Sequence, residues 1–196
     1  MLLEKESGTE EYLESMEIET TNIEGLLILT PRIFKDNRGS FYESFNKKIF
    51  DDHTNGKYNF VQDNQSISKK GVLRGLHFQN PPYAQGKLVR VIKGAVIDIA
   101  VDIRKDSVTY GKHFKIKLSE ENNIQFFIPP GFAHGFIALE DDTIFAYKCT
   151  NYYYPKSEAT ILWNDALLNI DWETNGCIVS EKDDIGLNFS SFESEF

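Results

Sequence analysis

The stretch Ala95-Val-Ile-Asp-Ile-Ala-Val-Asp-Ile103 alternates between two faces with a period of two residues. Its odd positions from 97 to 103 are all Ile or Val, while Asp98 and Asp102 share the other face with small apolar residues. A period of two is typical of a β-strand, because successive side chains of an extended chain point to opposite faces. This stretch therefore predicts a strand with one fully apolar side.

Similar runs along the chain predict further strands. With the first stretch, they cover residues 26–30, 39–45, 87–92, 95–103, 113–118, 124–128, 135–139, 143–150 and 159–163. Turn sequences such as Pro129-Pro-Gly131 separate them, and no long amphipathic helix intervenes. Strands at roughly 8–12-residue spacing indicate an all-β chain, folded as an antiparallel β-sandwich or jelly roll. Short helices are expected at residues 46–52, at 167–172 and after Ser180.

The composition indicates a domain with a packed core. The chain has 196 residues, of which 41% are hydrophobic and 13% aromatic, and this is too apolar for disorder. Residues 1–15 are polar and rich in acidic side chains. We therefore expect a flexible extension over residues 1–15 and a single domain over residues 16–196.

Charge and apolar length argue against several classes of function. A net charge of -9 disfavours binding to nucleic acid or to an anionic membrane surface. We expect neither a signal peptide nor a membrane helix, because no apolar run reaches the roughly 18 residues that a spanning helix needs. The two cysteines, Cys149 and Cys177, form no recognisable framework, which favours a reducing, cytoplasmic location.

One segment concentrates cationic and titratable residues against this acidic balance. Gly71-Val-Leu-Arg-Gly-Leu-His-Phe-Gln79 is followed closely by Gln85-Gly-Lys-Leu-Val-Arg90. The imidazole of His77 can act as a base, Lys87 supplies a nearby cation, and arginines bind phosphate groups. Together they fit proton abstraction from a phosphorylated substrate that carries a carbonyl group.

Each histidine also has a structural interpretation. His77 lies between two apolar neighbours and fits a buried structural position as well as a catalytic one. His134 follows a tight turn and fits either a pocket lining or a structural hydrogen bond. His53 and His113 fit solvated positions. Since no two histidines have the close spacing of a metal site with a carboxylate nearby, we expect no bound metal.

Two more residues have alternative interpretations. Asp98 belongs to a solvent-facing polar edge or, if its face lines a barrel interior, orients a histidine. Tyr147 alternates with Thr143 and Phe145 and fits the core as well as catalysis.

Arg74 and His77 differ by three positions, so a regular strand would send them to opposite faces. Gly75 lies between them and is compatible with a β-bulge that re-aims one of the two side chains. Without such a bulge, one of the two would lie outside the pocket.

A series of motifs follows in order along residues 16–183. They are Asp36-Asn-Arg-Gly39, Phe41-Tyr-Glu43, Phe60-Val-Gln-Asp-Asn64, Val72-Leu-Arg-Gly-Leu-His-Phe-Gln79, Ala84-Gln-Gly-Lys-Leu-Val-Arg90, Asp98-Ile-Ala-Val-Asp-Ile-Arg104, Ile128-Pro-Pro-Gly-Phe-Ala-His-Gly-Phe136, Phe145-Ala-Tyr-Lys148, Ile161-Leu-Trp-Asn-Asp165 and Ser180-Glu-Lys-Asp183. In this order they resemble the dTDP-4-dehydrorhamnose 3,5-epimerase family of cupin-type enzymes in dTDP-L-rhamnose synthesis.

The resemblance implies a cupin-like jelly roll with a few short helices near the C-terminus, and a catalytic set. His77 would be the base that removes protons from the sugar, and Asp183 would orient it and stabilise its imidazolium form. Tyr147 would return a proton to the opposite face. Lys87 would stabilise the enolate at the C4 oxygen, and no cofactor is implied.

The resemblance also implies how a dTDP-ketosugar substrate would bind. Arg38 and Arg74 would hold the diphosphate, and Tyr153 would stack on the thymine. The other residues at matching positions are Glu43, Gln62, Asp63, Asn64, His134, Glu158 and Lys182. The implied assembly is a homodimer in which the N-terminal strand region reaches the neighbouring subunit's site.

The sequence leaves other activities open. A C3-only or C5-only epimerase and a 3,4-ketoisomerase on a related nucleotide sugar would share the same base. Tyr147 favours epimerisation at both carbons, because inversion requires a distinct acid on the second face. The presence of both a base and an acid argues against a noncatalytic nucleotide-sugar binder, which has no need of either.

Overall fold

The structure, a computed structural model, describes residues 15–196. Its strands are β1 Met16–Thr20, β2 Leu27–Pro31, β3 Phe34–Asp36, β4 Gly39–Phe41, β5 Gln62–Ser68, β6 Leu73–Gln79, β7 Lys87–Lys93, β8 Ala95–Asp102, β9 His113–Ser119, β10 Gln125–Ile128, β11 Phe132–Ala138, β12 Thr143–Cys149 and β13 Glu158–Thr160. Helix α1 spans Lys47–Thr54, α2 spans Glu181–Asp184, and 3₁₀ turns cover Pro155–Ser157 and Phe189–Ser191. Apart from Ser15, the predicted extension lies outside the described residues.

Two large antiparallel sheets face each other. One has the strand order β1-β2-β10-β7-β12-β5 and the other the order β13-β6-β11-β8-β9, while within residues 15–196 β3 and β4 pair only with each other. The predicted all-β, cupin-like antiparallel fold is therefore confirmed. The division into an extension and a single domain from residue 16 stays a prediction.

The main core lies between the two sheets. Val89 and Val91 of β7 and Phe145 of β12 meet Ala100 of β8 and Phe136 of β11 there. Burying these side chains stabilises the fold by roughly 25 cal/mol for each Å² of apolar surface removed from water. The cleft described below opens at one end of this same inter-sheet space.

The polar face of β8 is not a solvent-facing edge. All eight residues of β8 are buried, and Asp98 and Asp102 have no exposed surface. Their face points into the inter-sheet core, while the Ile97, Ile99 and Val101 face packs under the C-terminal part of the chain. Strand β8 is therefore covered on both faces.

Helix α1 covers the outer face of the six-stranded sheet. The side-chain Oδ1 of Asn46 accepts hydrogen bonds from the backbone N–H groups of Lys48 at 3.0 Å and Ile49 at 3.2 Å, which caps the first turn. Asn55 ends the helix in the left-handed conformation, with a φ of 53°. The buried Ile49 and Phe50 then pack on the sheet.

Some local predictions were wrong. The strand predicted at 39–45 ends at Phe41. Residues 167–172 form turns instead of a helix, because the Asp165 carboxylate accepts from the N–H of Leu168 and Asn169 adopts a positive φ of 44°. The polar strand β5 was not predicted, since it has no apolar face.

Strand β6 contains the predicted bulge. His77 lies opposite His134 of β11, and Arg74 lies opposite Phe136. Three steps along β6 therefore match two steps along β11, which means that β6 holds one extra residue. Between Arg74 and His77, this extra residue changes the face of the sheet to which the following side chains point.

Core packing confirms which way the side chains point. Leu73, Leu76 and Phe78 all belong to the cluster on the outer face of the five-stranded sheet. Because Leu73 and Leu76 share that face across the bulge, Arg74 and His77 share the inner one.

Gly75→Ala should destabilise the bulge. A Cβ at residue 75 would lie 2.5 Å from the Cα of Gly135, which cannot move aside as a side chain can. Gly39→Ala is a matched control, because Gly39 also has a positive φ but its Cβ would have no atom within 4 Å. We expect Gly75→Ala to lower the free energy of unfolding by about 1–3 kcal/mol more than the control. Urea denaturation measures both, and equal losses would contradict the close approach.

Candidate active site

A cleft between the sheets is lined by seven of the predicted site residues. It has a volume of about 230 Å³. The five-stranded sheet supplies His77 from β6, and the six-stranded sheet supplies Lys87 from β7 and Tyr147 from β12. The remaining lining residues are Gln62, Asn64, Phe78, Gln79, Gln85, Tyr153 and Glu158.

His77 is held by a buried carboxylate. Its Nε2 lies 2.6 Å from Oδ1 of Asp183, whose side chain is 4% exposed while that of His77 is 27% exposed. An ionised carboxylate only accepts hydrogen bonds, so Nε2 must carry the hydrogen in this pair. The neutral ring then has its lone pair on Nδ1, the nitrogen that can act as a base.

Asp183 remains ionised despite its burial. Burial raises the pKa of Asp183, but hydrogen bonds from His77, the Ser180 side chain and the Gly75 N–H outweigh it, so the pKa lies below the ordinary value.

Lys87 brings a cation beside the histidine. Its Nζ lies 3.5 Å from the backbone oxygen of His77, within reach of a weak hydrogen bond. Burial lowers the pKa of Lys87, and the nearby Cys149, Asp98 and Glu158 only partly oppose this effect. The ammonium group therefore has little water around it, where its charge acts more strongly on a neighbouring atom.

Tyr147 faces the cleft from the opposite sheet. Burial raises the pKa of Tyr147, Cys149 and Glu158 add to this effect, and the guanidinium of Arg74 opposes it. The phenol therefore holds its proton at neutral pH and can donate it. Arg74 does not line this cleft; its Nε donates to Ser68 Oγ at 3.2 Å.

A second histidine–carboxylate pair lies beneath the first. His134 Nε2 lies 2.9 Å from Oδ2 of Asp98, and both side chains are buried. Burial lowers the pKa of His134; the carboxylate of Asp98 partly offsets this, whereas the nearby charges of Lys87 and His77 lower it further. Asp98 is thus placed to orient a histidine, as one interpretation of its sequence position held.

The rim of the cleft carries a connected polar network. Glu158 Oε2 accepts from Lys182 Nζ at 2.5 Å and from the Tyr153 hydroxyl at 2.9 Å. Burial raises the pKa of Glu158, but these two partners outweigh it and leave the pKa below its ordinary value. Gln62 accepts from the Tyr153 N–H at 3.0 Å and donates to Asn64 at 3.0 Å.

Three predicted binding residues lie away from this cleft. Arg38 is in the β3–β4 hairpin, where its Nη2 pairs with Asp36 at 2.5 Å and its side chain is 86% exposed. Glu43 accepts a hydrogen bond from Asn46 at 2.9 Å. Asp63 points to the outer face of the six-stranded sheet and pairs with Lys148 at 3.1 Å.

Three further residues at the site have no role predicted from the sequence. Gln79 clamps two rim loops, since its Nε2 donates to Tyr83 O at 2.6 Å and its Oε1 accepts from Tyr154 N at 2.8 Å. Gln85 donates to the backbone oxygen of residue 151 at 2.7 Å. Cys149 Sγ accepts from Asn64 at 3.5 Å. The period of two from Tyr147 to Cys149 is the signal that could have placed Cys149 here.

Two features are absent from residues 15–196. They contain no group of three or more His, Cys, Asp or Glu side chains that could hold a metal ion. Over the same residues, no helix is both long and apolar enough to cross a membrane.

Residues 20–191 match the sequence profile of the dTDP-4-dehydrorhamnose 3,5-epimerase family. The chain belongs to this family. A family member from Escherichia coli (strain K12), named dTDP-4-dehydrorhamnose 3,5-epimerase, is 54% identical over 170 residues, which cover 86% of this chain and 92% of that protein. The chain is accordingly an isomerase of the epimerase type.

Solved structures of family members share the fold. The dTDP-6-deoxy-D-glucose-3,5-epimerase RmlC from Legionella pneumophila Philadelphia 1, in complex with dTDP-4-keto-L-rhamnose, matches with a TM-score of 0.84 and 49% identity over 87% of this chain and 91% of that chain. ChmJ from Streptomyces bikiniensis, a 3'-monoepimerase in complex with dTDP-quinovose, matches with a TM-score of 0.82 and 28% identity over 87% of this chain and 86% of that chain.

Proposed function

We propose that this chain epimerises C3 and C5 of dTDP-4-dehydro-6-deoxy-D-glucose to give dTDP-4-dehydro-L-rhamnose, in dTDP-L-rhamnose synthesis. One observation carries the proposal: His77 and Tyr147 belong to opposite sheets and line the same cleft. An epimerase removes a proton from one face of a carbon and returns one to the other face. A base on one wall and an acid on the other meet that requirement.

The ketone of the substrate makes both protons removable. A C4 carbonyl acidifies the C–H bonds at C3 and C5, because loss of either proton gives an enolate. We assign His77 Nδ1 as the base, with Nε2–H donated to Asp183. The carboxylate stabilises the imidazolium that forms, and a base placed in this way typically contributes about 10²–10⁴-fold in rate.

The negative charge that develops on the C4 oxygen needs a cation. We assign this role to Lys87, which lies beside His77 in the cleft and is largely shielded from water. A preorganised donor at an oxyanion is worth about 3–4 kcal/mol. Tyr147 then delivers a proton from the other wall, and the chemistry requires neither a metal nor a redox cofactor.

Binding of the nucleotide is assigned to groups around the catalytic set. Arg74 holds the diphosphate and Tyr153 stacks on the thymine, since a ring can cover a flat base. The further binding residues in this proposal are Gln62, Asn64, His134, Glu158 and Lys182. Asp63 stays a prediction, because its carboxylate points to the outer face of the sheet.

We also propose a homodimer in which the N-terminal strands supply Arg38 and Glu43 to the neighbouring subunit's cleft. The β3–β4 hairpin pairs with neither sheet, and its Phe34 and Phe41 are 50% and 71% exposed. Exposed aromatic side chains beside an exposed arginine fit contact with another protein surface.

A cytoplasmic location completes the proposal. The two cysteines, Cys149 and Cys177, are both unpaired, as is usual in a reducing compartment.

Incubation with the ketosugar in D₂O tests the reaction. We expect solvent deuterium at both C3 and C5, because each proton is exchanged through an enolate. Label at a single carbon would select a monoepimerase.

His77→Ala should lower kcat by at least about 10²-fold and leave dTDP binding intact, since the base is removed and the nucleotide contacts remain. His53→Ala, on helix α1, is the control and should retain full turnover. Wild-type rates in His77→Ala would refute the assigned base.

Tyr147→Phe separates the two proton transfers. Removal of the hydroxyl should reduce product formation by about 10²-fold or more, because the second face loses its acid. Exchange of the first proton with solvent should suffer much less, since it depends on His77. Mass spectrometry of recovered substrate and product measures both rates, with Tyr152→Phe as the control on the exposed rim. An equal loss of exchange and product would contradict a separate acid.

Mixed dimers of Arg38→Ala and His77→Ala test whether the hairpin acts across the dimer. Both parent homodimers should be impaired. If Arg38 serves the neighbouring cleft, one site of the mixed dimer carries both changes and the other carries neither, so turnover reappears. Differently tagged chains allow the mixed species to be isolated and assayed. Absence of recovery would mean that Arg38 serves its own chain or no site.

A further inference from the structure

The carboxylate that orients His77 comes from a segment far away in sequence. Residues 178–187, here called the strap, carry α2 and Asp183 past the outer edge of β6. At one end, Ile178 N–H donates to Gly71 O at 2.8 Å, and its carbonyl accepts from Leu73 N–H at 2.9 Å. Asp183, near the middle of the strap, is the residue that reaches His77.

The other end of the strap is anchored in the same manner. Leu187 N–H donates to Thr160 O at 2.8 Å, and Leu187 O accepts from Leu162 N–H at 2.9 Å. Burial contributes little at these positions, because Ile178, Ile185 and Leu187 are 59%, 82% and 50% exposed. Backbone hydrogen bonds at both ends, together with Val179, which packs against the outer core cluster, therefore hold Asp183 in position beside the sheet.

Gly186 lies where the strap comes closest to its support. A Cβ added at residue 186 would lie 2.9 Å from the carbonyl carbon of Ile161, 2.9 Å from the nitrogen of Leu162 and 3.1 Å from the oxygen of Thr160. All three atoms belong to the backbone, so no side chain can turn aside to make room. Any residue other than glycine must therefore lift this end of the strap or push its support away.

We propose that Gly186 is a positioning residue for the catalytic base, and that its missing side chain lets the strap seat Asp183 on His77. The inference rests on the roles of His77 and Asp183 given under the proposed function. It adds a residue that touches neither the substrate nor the reacting atoms. Gly186 acts by keeping Asp183 Oδ1 at 2.6 Å from His77 Nε2.

The expected displacement is small but sufficient to matter. Ordinary contacts of a Cβ begin at 3.4 Å, so an alanine at residue 186 demands a shift of about 0.5 Å from the present 2.9 Å. A misplacement of about 1 Å at a catalytic group can cost 10²-fold in rate. On that scale we expect Gly186→Ala to lose about 10-fold in kcat.

Gly186→Ala is therefore compared with Gly176→Ala. Gly176 lies in the same C-terminal region, and a Cβ there would meet no atom within 4 Å. We expect Gly186→Ala to lower kcat about 10-fold with KM unchanged, because the strap orients the base and does not bind the nucleotide. Gly176→Ala should match the wild type. Loss confined to KM, or equal loss in both variants, would overturn the proposal.

A double-mutant cycle with Asp183→Asn shows whether Gly186 acts through the carboxylate. Once Asp183 no longer supports His77, the further change Gly186→Ala should cost little, so the two losses should not multiply. Multiplicative losses would mean that Gly186 acts elsewhere and would overturn the proposal. If Asp183→Asn alone were fully active, the proposed function of the His77–Asp183 pair would fail, and the inference with it.

A second variant covers the case in which Gly186→Ala does not fold. Leu187→Pro deletes the N–H that donates to Thr160 and adds no Cβ at residue 186. Its ring takes the place of that hydrogen and meets the Thr160 oxygen, so this end of the strap must lift and kcat should fall in the same direction. A folded Leu187→Pro variant with wild-type kcat would overturn the dependence on this anchor.

Discussion

The close approach of Gly75 to Gly135 is the constraint on which the site depends. Two strands meet there with no side chain between them, since a Cβ on Gly75 would lie 2.5 Å from the Gly135 Cα. That contact accommodates one extra residue in β6, and the extra residue places Arg74 and His77 on the same face. The Gly75 backbone also lowers the pKa of the Asp183 carboxyl. One backbone irregularity thus sets the direction of the base and acts on its partner.

The remaining chemistry comes from the fact that the cleft is built by two sheets. His77 belongs to one sheet, whereas Lys87 and Tyr147 belong to the other, so opposed walls approach a bound sugar from different sides. Burial acts on each group according to its charge. It raises the pKa of Tyr147 and lowers the pKa of Lys87. A cation and a proton donor can therefore both face the substrate in an acidic chain, where little water screens the charge of Lys87.

Local patterns predicted most of the framework. The alternation in β8 and its neighbours gave the strands, since the period of two is a property of the extended backbone itself. It did not give β5, because that strand turns polar side chains into the cleft and has no apolar face to detect. The helix expected at 167–172 failed for a different reason: the side chain of Asp165 and the left-handed Asn169 hold this segment in turns against the sheet.

Local patterns also predicted some of the site residues and missed others. His77 and Lys87 stood out in the sequence as titratable groups in apolar surroundings, and Gly75 between Arg74 and His77 signalled the bulge. Asp183 lies 106 positions from His77, and no local pattern indicated that the two meet. Only the similarity of ordered motifs indicated the pair, and only the fold shows the strap that delivers it.

The sequence by itself determined the class of fold, most of the strands along the chain and the identity of the basic and acidic groups available for chemistry. These follow from residue type and periodicity, which act over a few neighbouring positions. Tertiary structure decided which face each group points to, which carboxylate reaches which histidine, and which predicted residues line the cleft. Those outcomes depend on sheet pairing and close backbone contacts between distant segments, and such contacts are not encoded in any single stretch of the chain.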